Sequence, residues 1–251
     1  MRYINTGQCI WCGKRSPEVS FVNKPHIIPD SLGGEDIGTD ICDDCNLYFG
    51  KAEKGLPNLD LVFKEVFSIT RLIREPLDEN TYKKLHSVYF RYYHKERKFV
   101  IKSAFNNRII TRQFKRSLYE AFLQMYHKET GDGNNPKFAA VRDFARYNKG
   151  DLKVYYAFNN IVLAPDFNQA PTLPMSQKLI ADMNRFGVFL FWFLSHPLYL
   201  EVFPTAFNVY GMDYLKKEAE TMIIHAKGNE GIIELRDIMQ MDFFMQRFNE
   251  G

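Results

Sequence analysis

The chain has 251 residues, 45% of them hydrophobic, with 22 Phe and 14 Tyr, which is ample for a buried core and excludes a disordered chain. Its net charge is only +3, so nucleic-acid binding cannot rest on the total and has to be argued from where the charge sits. The opening MRYINTGQ lacks the apolar core of a signal peptide, and the most apolar run, 187–203, is interrupted by His196-Pro197 and short for a membrane span, so a soluble protein with no membrane association is expected.

Every cysteine lies near the start, in two C-x-x-C pairs, Cys9/Cys12 and Cys42/Cys45. Tetrahedral Zn²⁺ needs four soft ligands, and each pair supplies two from a tight turn, so the spacing predicts a closed structural zinc site rather than a disulfide or redox pair. No cysteine is left for a disulfide, which fits a reducing cytoplasm. Trp11 and Gly13 sit in the first knuckle, Ser20-Phe21-Val22 reads as a short β-like run, and Asp30 to Gly38 is turn-rich. A helix is expected after Cys45, from Asn46 toward Glu53, stopped by Gly55 and Pro57.

Beyond residue 57 the pattern predicts a helix over 58–73, then a second from Asp78 carrying Tyr82, Leu85, Val88, Tyr89 and Tyr92 on one face. A β-hairpin is expected from Lys98–Lys102 and Ile109–Thr111 with Asn106-Asn107 at its turn. Helices at 113–128 and 138–147, strands around Asn159-Asn160 and a Pro-rich loop over 164–175 come next. The remainder reads as a helix at 175–185, a buried strand or helix–turn over 187–203 with a bend at His196-Pro197, and helices at 212–227 and 231–248. The whole is an α+β chain: a small zinc module over 1–54 and a larger, helix-rich α+β domain over 55–251.

The pieces His26-Ile27-Ile28-Pro29, Gly33-Gly34 and Cys42-x-x-Cys45-Asn46 resemble the HNH endonuclease family, a ββα-metal fold often clipped by a four-cysteine zinc site. The resemblance spans about residues 9 to 54, roughly a fifth of the chain. It implies hydrolysis of DNA phosphodiester bonds, with His26 as the general base and Asn46 as a ligand of a catalytic Mg²⁺ or Mn²⁺. The family also serves restriction, homing and anti-phage defence, and a restriction or antiviral effector is the setting it suggests here.

An imidazole suits the base role because it titrates near neutrality. The bland alternatives are a histidine bonded in a small core or an extra zinc ligand for His26, and a helix cap for Asn46. The family usually has an acid immediately before its base histidine, where this chain has Pro25, and no Asn occurs between Asn23 and Asn46 to serve as the central HNH asparagine. Asp30, Asp36 and Asp40 lie in the intervening loop, and Asp30 and Asp40 are the candidates for a replacement cation ligand. Each also suits an ordinary turn or cap.

A third feature is basic: nine Lys and Arg against the single acid Glu96 lie between Arg91 and Arg116. Lys98, Lys102, Arg108, Arg112, Lys115 and Arg116 are the expected phosphate contacts, unless the run is a solvated face. The competing class is a catalytically inactive zinc module that binds nucleic acid or a protein partner, and a homo-oligomer is compatible with either reading.

Overall fold

The computed structural model describes residues 3–53, 55–74, 86–93, 95–96, 98–157, 170–194, 196–221 and 231–241. Its longest element is a helix of 24 residues, Asn107–Thr130, that the rest packs around. It starts where the Asn106 side chain accepts from the Ile109 amide at 3.1 Å, and it ends at Gly131, whose left-handed φ of 72° lets its N–H reach the His127 carbonyl. From Ile110 to His127 almost every side chain is buried, including Lys115, Arg116 and Glu120. A helix buried all round forms the core of a larger assembly, and its polar residues must find partners there.

In chain order the elements are α1 (Asp43–Gly50), α2 (Leu59–Arg74), β1 (Phe90–Tyr93), β2 (Lys98–Ile101), α3 (Asn107–Thr130), α4 (Ala139–Ala145), β3 (Val154–Ala157), α5 (Gln177–Phe186), β4 (Val188–Phe193), β5 (His196–Glu201), α6 (Met212–Thr221) and β6 (Ile232–Glu234). β1 and β2 pair antiparallel, and the other strands form an antiparallel sheet in the order β4-β5-β3-β6. In β4 the residues Phe189, Phe191 and Phe193 alternate onto one face. There Phe193 meets Phe63 and Phe67 of α2 at 5.5 and 4.7 Å, and Phe189 meets Phe122 of α3 at 4.8 Å between ring centroids. Full burial of each such ring contributes about 2 kcal/mol. The opposite face, Tyr155, Val188 and Tyr199, packs on Phe207 and Leu215 in the helical stretch that ends with α6. The fold is thus α+β, as the pattern implies, with the sheet between two helical layers.

Several local expectations are corrected. The hairpin is β1–β2, with Phe90 opposite Ile101, so Tyr92 lies in a strand and not on a helix. Val88 and Tyr89, expected on the same helix, are not helical either, and its earlier part, with Tyr82 and Leu85, lies outside the described residues. Ile109–Thr111 belongs to α3, because Asn106 caps a helix instead of turning a hairpin. The apolar run is the β4–β5 hairpin, in which Pro197 pairs with Trp192 near the turn, where it interrupts least. Residues 231–241 form β6 and a short 3-10 turn, not the start of a helix. β3 accounts for the strand before Asn159-Asn160, which itself lies outside the described residues, as do parts of the 164–175 and 212–227 expectations. Among the described residues no helix is long and apolar enough to cross a membrane.

The buried apolar cluster is continuous from Trp11, Ile28 and Phe49 through Phe114 to Phe189. α3 is the bridge. Its Gln113 amide donates to the Pro57 carbonyl at 2.6 Å, its Tyr119 hydroxyl donates to the Lys153 carbonyl at 2.6 Å, and its His127 reaches Asp40.

Candidate active site and metal centre

The first knuckle closes when the Gly13 amide donates to the Cys9 carbonyl at 2.9 Å, a turn that Gly13 completes at a φ of 74°. The Ile10 amide then donates to the Asp40 carbonyl at 2.9 Å, which brings this knuckle against the second pair. α1 begins at Asp43, earlier than expected, so Cys42 is its N-cap and Cys45 lies in its first turn, three residues on and on the same side. All four Sγ atoms lie within 4.8 Å of one another, with Cys12 and Cys42 at 3.7 Å. Sulfurs about 2.3 Å from a tetrahedral Zn²⁺ would be separated by about 3.8 Å, so the set fits that ion. Hydrogen bonds from Cys42 and Cys45 lower the Cys9 thiol, and donating to Cys42 and Cys9, along with burial, raises Cys45. One thiolate is thus held by its neighbours, and only a cation lets all of them ionise together. Arg146 adds an N–H from α4's end, its Nε 3.4 Å from Cys45 Sγ, while its guanidinium lies 3.8 Å over the Tyr48 ring.

His26 lies on the insert between the two pairs. The strand expected at Ser20–Val22 is irregular, and the described β structure of the insert is the antiparallel bridge of His26 with Ile37. Gly34 is needed for the turn between them, since a Cβ there would lie 2.2 Å from the Ile28 carbonyl oxygen. That close return puts the Gly34 carbonyl 3.3 Å from His26 Nδ1. With Nδ1–H donated to Gly34, the lone pair of the neutral ring is on Nε2, and the residue is partly exposed. Asn46 is a full turn inside α1, half-buried, so the capping reading does not describe it and its side chain is available on the helix face.

Residues 9–54 match the HNH endonuclease family. Neither a curated protein nor a solved structure matches the chain. The HNH segment includes His26, Asn46 and the four cysteines, and it ends before α2. A nuclease-type module therefore stands at the front of a larger helical and sheet region, and the family implies a nucleic-acid substrate.

The acids expected to replace the one missing at Pro25 are placed elsewhere. Asp40 is fully buried and its oxygens are already used: Oδ1 accepts from the Asn5 and Gly7 amides at 2.9 Å, and Oδ2 from the Thr6 amide and hydroxyl at 2.6 Å and from His127 Nε2 at 3.0 Å. Burial opposes its charge, but the Thr6, Asn5 and Gly7 donors prevail and hold it below the usual carboxylate range. The Gly133 amide donates to His127 Nδ1 at 3.0 Å, which leaves Nε2–H for Asp40. Asp40 ties the HNH segment to α3 and has no oxygen left for a cation. Asp36 is paired with Lys128, and Asp30 is exposed in a 3-10 turn, Asp30–Leu32.

Two acids missed in the sequence act on one another, and one of them, Asp60, is within electrostatic reach of the histidine. Asp60, in the first turn of α2, is raised to about 6 by burial and pulled back by the His26 charge. Glu120 of α3, 7% exposed, is raised well above the ordinary range by burial and then by the Asp60 charge, and its Oε1 accepts from Gln124 Nε2 at 3.1 Å. Nothing marks either in the sequence. Asp60 reads as an acid favoured at a helix start, and Glu120 as a solvated helix residue.

The basic run divides in two. Arg116, 1% exposed, donates to the Phe144 and Ala145 carbonyls, to Gln113 and to the Tyr48 hydroxyl. Lys115 pairs with Asp151 at 2.9 Å, and Arg112 donates to Asn148 and the Gly150 carbonyl. These three, expected at phosphates, instead hold α3 to the α4–β3 connection, because a period of 3.6 turns them inward together. Lys102 is half-buried and donates to the Ser87 carbonyl. Lys98 and Arg108 remain exposed, joined by Arg91 and Lys95 on the β1–β2 hairpin.

Proposed function

We propose that the protein is a metal-dependent HNH-type endonuclease acting on DNA, with residues 1–54 as the cutting module and 55–251 as the part that binds nucleic acid or a partner. The observation that carries this reading is His26, held through Nδ1 by the Gly34 carbonyl on the insert between the two cysteine pairs, with Nε2 left as a base. Nε2 accepts a proton from water, the water oxygen attacks phosphorus, and the P–O bond to the leaving oxygen breaks. A divalent ion such as Mg²⁺ or Mn²⁺ held through Asn46 would stabilise charge on the scissile phosphate and the leaving oxygen. The ion in the cysteine cluster is zinc in this reading and is structural, since four thiolates leave no open position. Reduced thiols suit a cytoplasmic nuclease, and restriction or anti-phage defence is the proposed setting.

Arg91, Lys95, Lys98 and Arg108 form the exposed cationic surface available to a phosphate backbone. Plasmid incubated with Mg²⁺ or Mn²⁺ should be cleaved by wild type and not by His26→Ala. In the His26→Ala background, neutralising Arg91, Lys98 and Arg108 together should weaken DNA binding and flatten its salt dependence. Absence of cleavage by wild type with either metal would favour the second reading, a zinc module that binds without cutting, which Pro25 supports.

A further inference from the structure

We infer that Asp60 supplies the carboxylate of a divalent-cation site shared with Asn46 beside His26, in place of the acid that Pro25 does not provide. The inference deepens the nuclease reading and rests on it. Asp60 lies outside the residues that match the HNH family, so only the packing of α2 on α1 brings it there.

The placement is built by Asn58. Its Oδ1 accepts from the Leu61 amide at 2.6 Å and so starts α2, while its Nδ2 donates to the Gly50 carbonyl at 3.0 Å and so fixes α2 to the end of α1. Asp60 Oδ2 then lies against Gly50, where a Cβ would stand only 3.2 Å away. Gly50 and Asn46 are four residues apart on α1 and therefore share a face. On that face Asn46 contributes an amide group with one oxygen, and Asp60 a carboxylate. Both are hard ligands of the kind Mg²⁺ and Mn²⁺ take.

An acid that serves only the helix dipole stands in solvent. Asp60 is instead partly buried, and among the described residues no hydrogen-bond donor reaches its carboxylate. A second buried oxygen without a donor lies on α3. Gln124, 2% exposed, gives its Nε2 to Glu120 and leaves Oε1 without a partner, beside Gly38 of the segment that pairs with His26. Buried oxygens without donors call for a cation or water.

The test is Mn²⁺ uptake by the zinc-loaded full chain, followed through the loss of the free Mn²⁺ signal in electron paramagnetic resonance. Wild type should take up Mn²⁺, Asp60→Asn should bind it at least about tenfold more weakly, and Asp30→Asn should match wild type. Asp60→Glu keeps the charge and should recover part of the affinity, and retained zinc shows that each variant is folded. Normal uptake by folded Asp60→Asn, or no uptake by wild type, overturns the inference. If wild type cuts plasmid while Asp60→Asn binds Mn²⁺ normally, only this inference fails. If Asp60→Asn loses Mn²⁺ in a protein that never cuts, the site stands and the nuclease reading fails.

Discussion

Residues 3–53 contain a single eight-residue helix, one 3-10 turn and isolated bridges, whereas β4 and β5 pair along their whole length, Val188 with Glu201 through to Phe193 with His196. The first region is held by directed polar contacts: the cysteine cluster, Asp40 with its amide donors, and the His26–Gly34 bond. The second is held by rings, with Phe63, Phe67 and Phe193 in mutual contact and Phe189 against Phe122. The difference teaches where each region is vulnerable. A segment with little regular structure depends on its ion and on a few buried polar groups, while a sheet against helices depends on filled volume.

Breaking the metal centre should have the largest effect. Structural zinc contributes on the order of 10 kcal/mol of binding free energy in small modules. Cys42→Ser, or removal of zinc by a chelator, should expose Trp11 and open residues 3–53 to protease while the sheet persists. Trp192→Phe leaves Trp11 as the sole tryptophan, so its emission reads this directly. Unchanged emission in zinc-free protein would show that apolar packing alone suffices. The reverse perturbation, Phe122→Ala, should cost about 3–5 kcal/mol in urea denaturation yet leave zinc bound in the folded protein. Loss of zinc at the same urea concentration as loss of the sheet would show that α3 couples the two regions into one unfolding unit.

A smaller effect sharpens the boundary between them. Burial, then the Asp60 charge, raises the Glu120 carboxyl well above its ordinary value of 4.5. The folded state therefore keeps a proton that the unfolded state releases, so this group's contribution is fully present below about pH 4.5 and is lost as pH rises toward the folded value. Glu120→Gln removes that loss. It should be about 1 kcal/mol or more stabler than wild type at pH 8, with no gain at pH 4, in urea melts at the two pH values. A difference independent of pH would show that Glu120 is charged in the folded protein.

Much of the metal centre was legible in the sequence because its determinants are local. C-x-x-C brings two sulfurs together within one turn, and Gly33-Gly34 between Ile28 and Ile37 reads as a sharp return. The α2 helix was legible for the same reason, since Leu61, Val62, Val66 and Phe67 recur at helical spacing. The hairpin was misplaced because Asn106 suits a turn and a helix cap equally, and only the residues packed beyond it decide between the two. The basic run was misread because charge counts carry no direction.

The sequence by itself determined that four thiols and a histidine share one small module, since ligand chemistry and tight turns act over a few residues. Tertiary structure alone decided which acid stands near His26 and which cations face solvent. Asp40 was taken by the Asn5–Gly7 loop and His127, Asp60 was brought in by Asn58 on Gly50, and Arg116 was turned inward onto the Ala145 carbonyl. The physical reason is burial: a charged group removed from water must be met by partners, and those partners come from segments far apart in the chain.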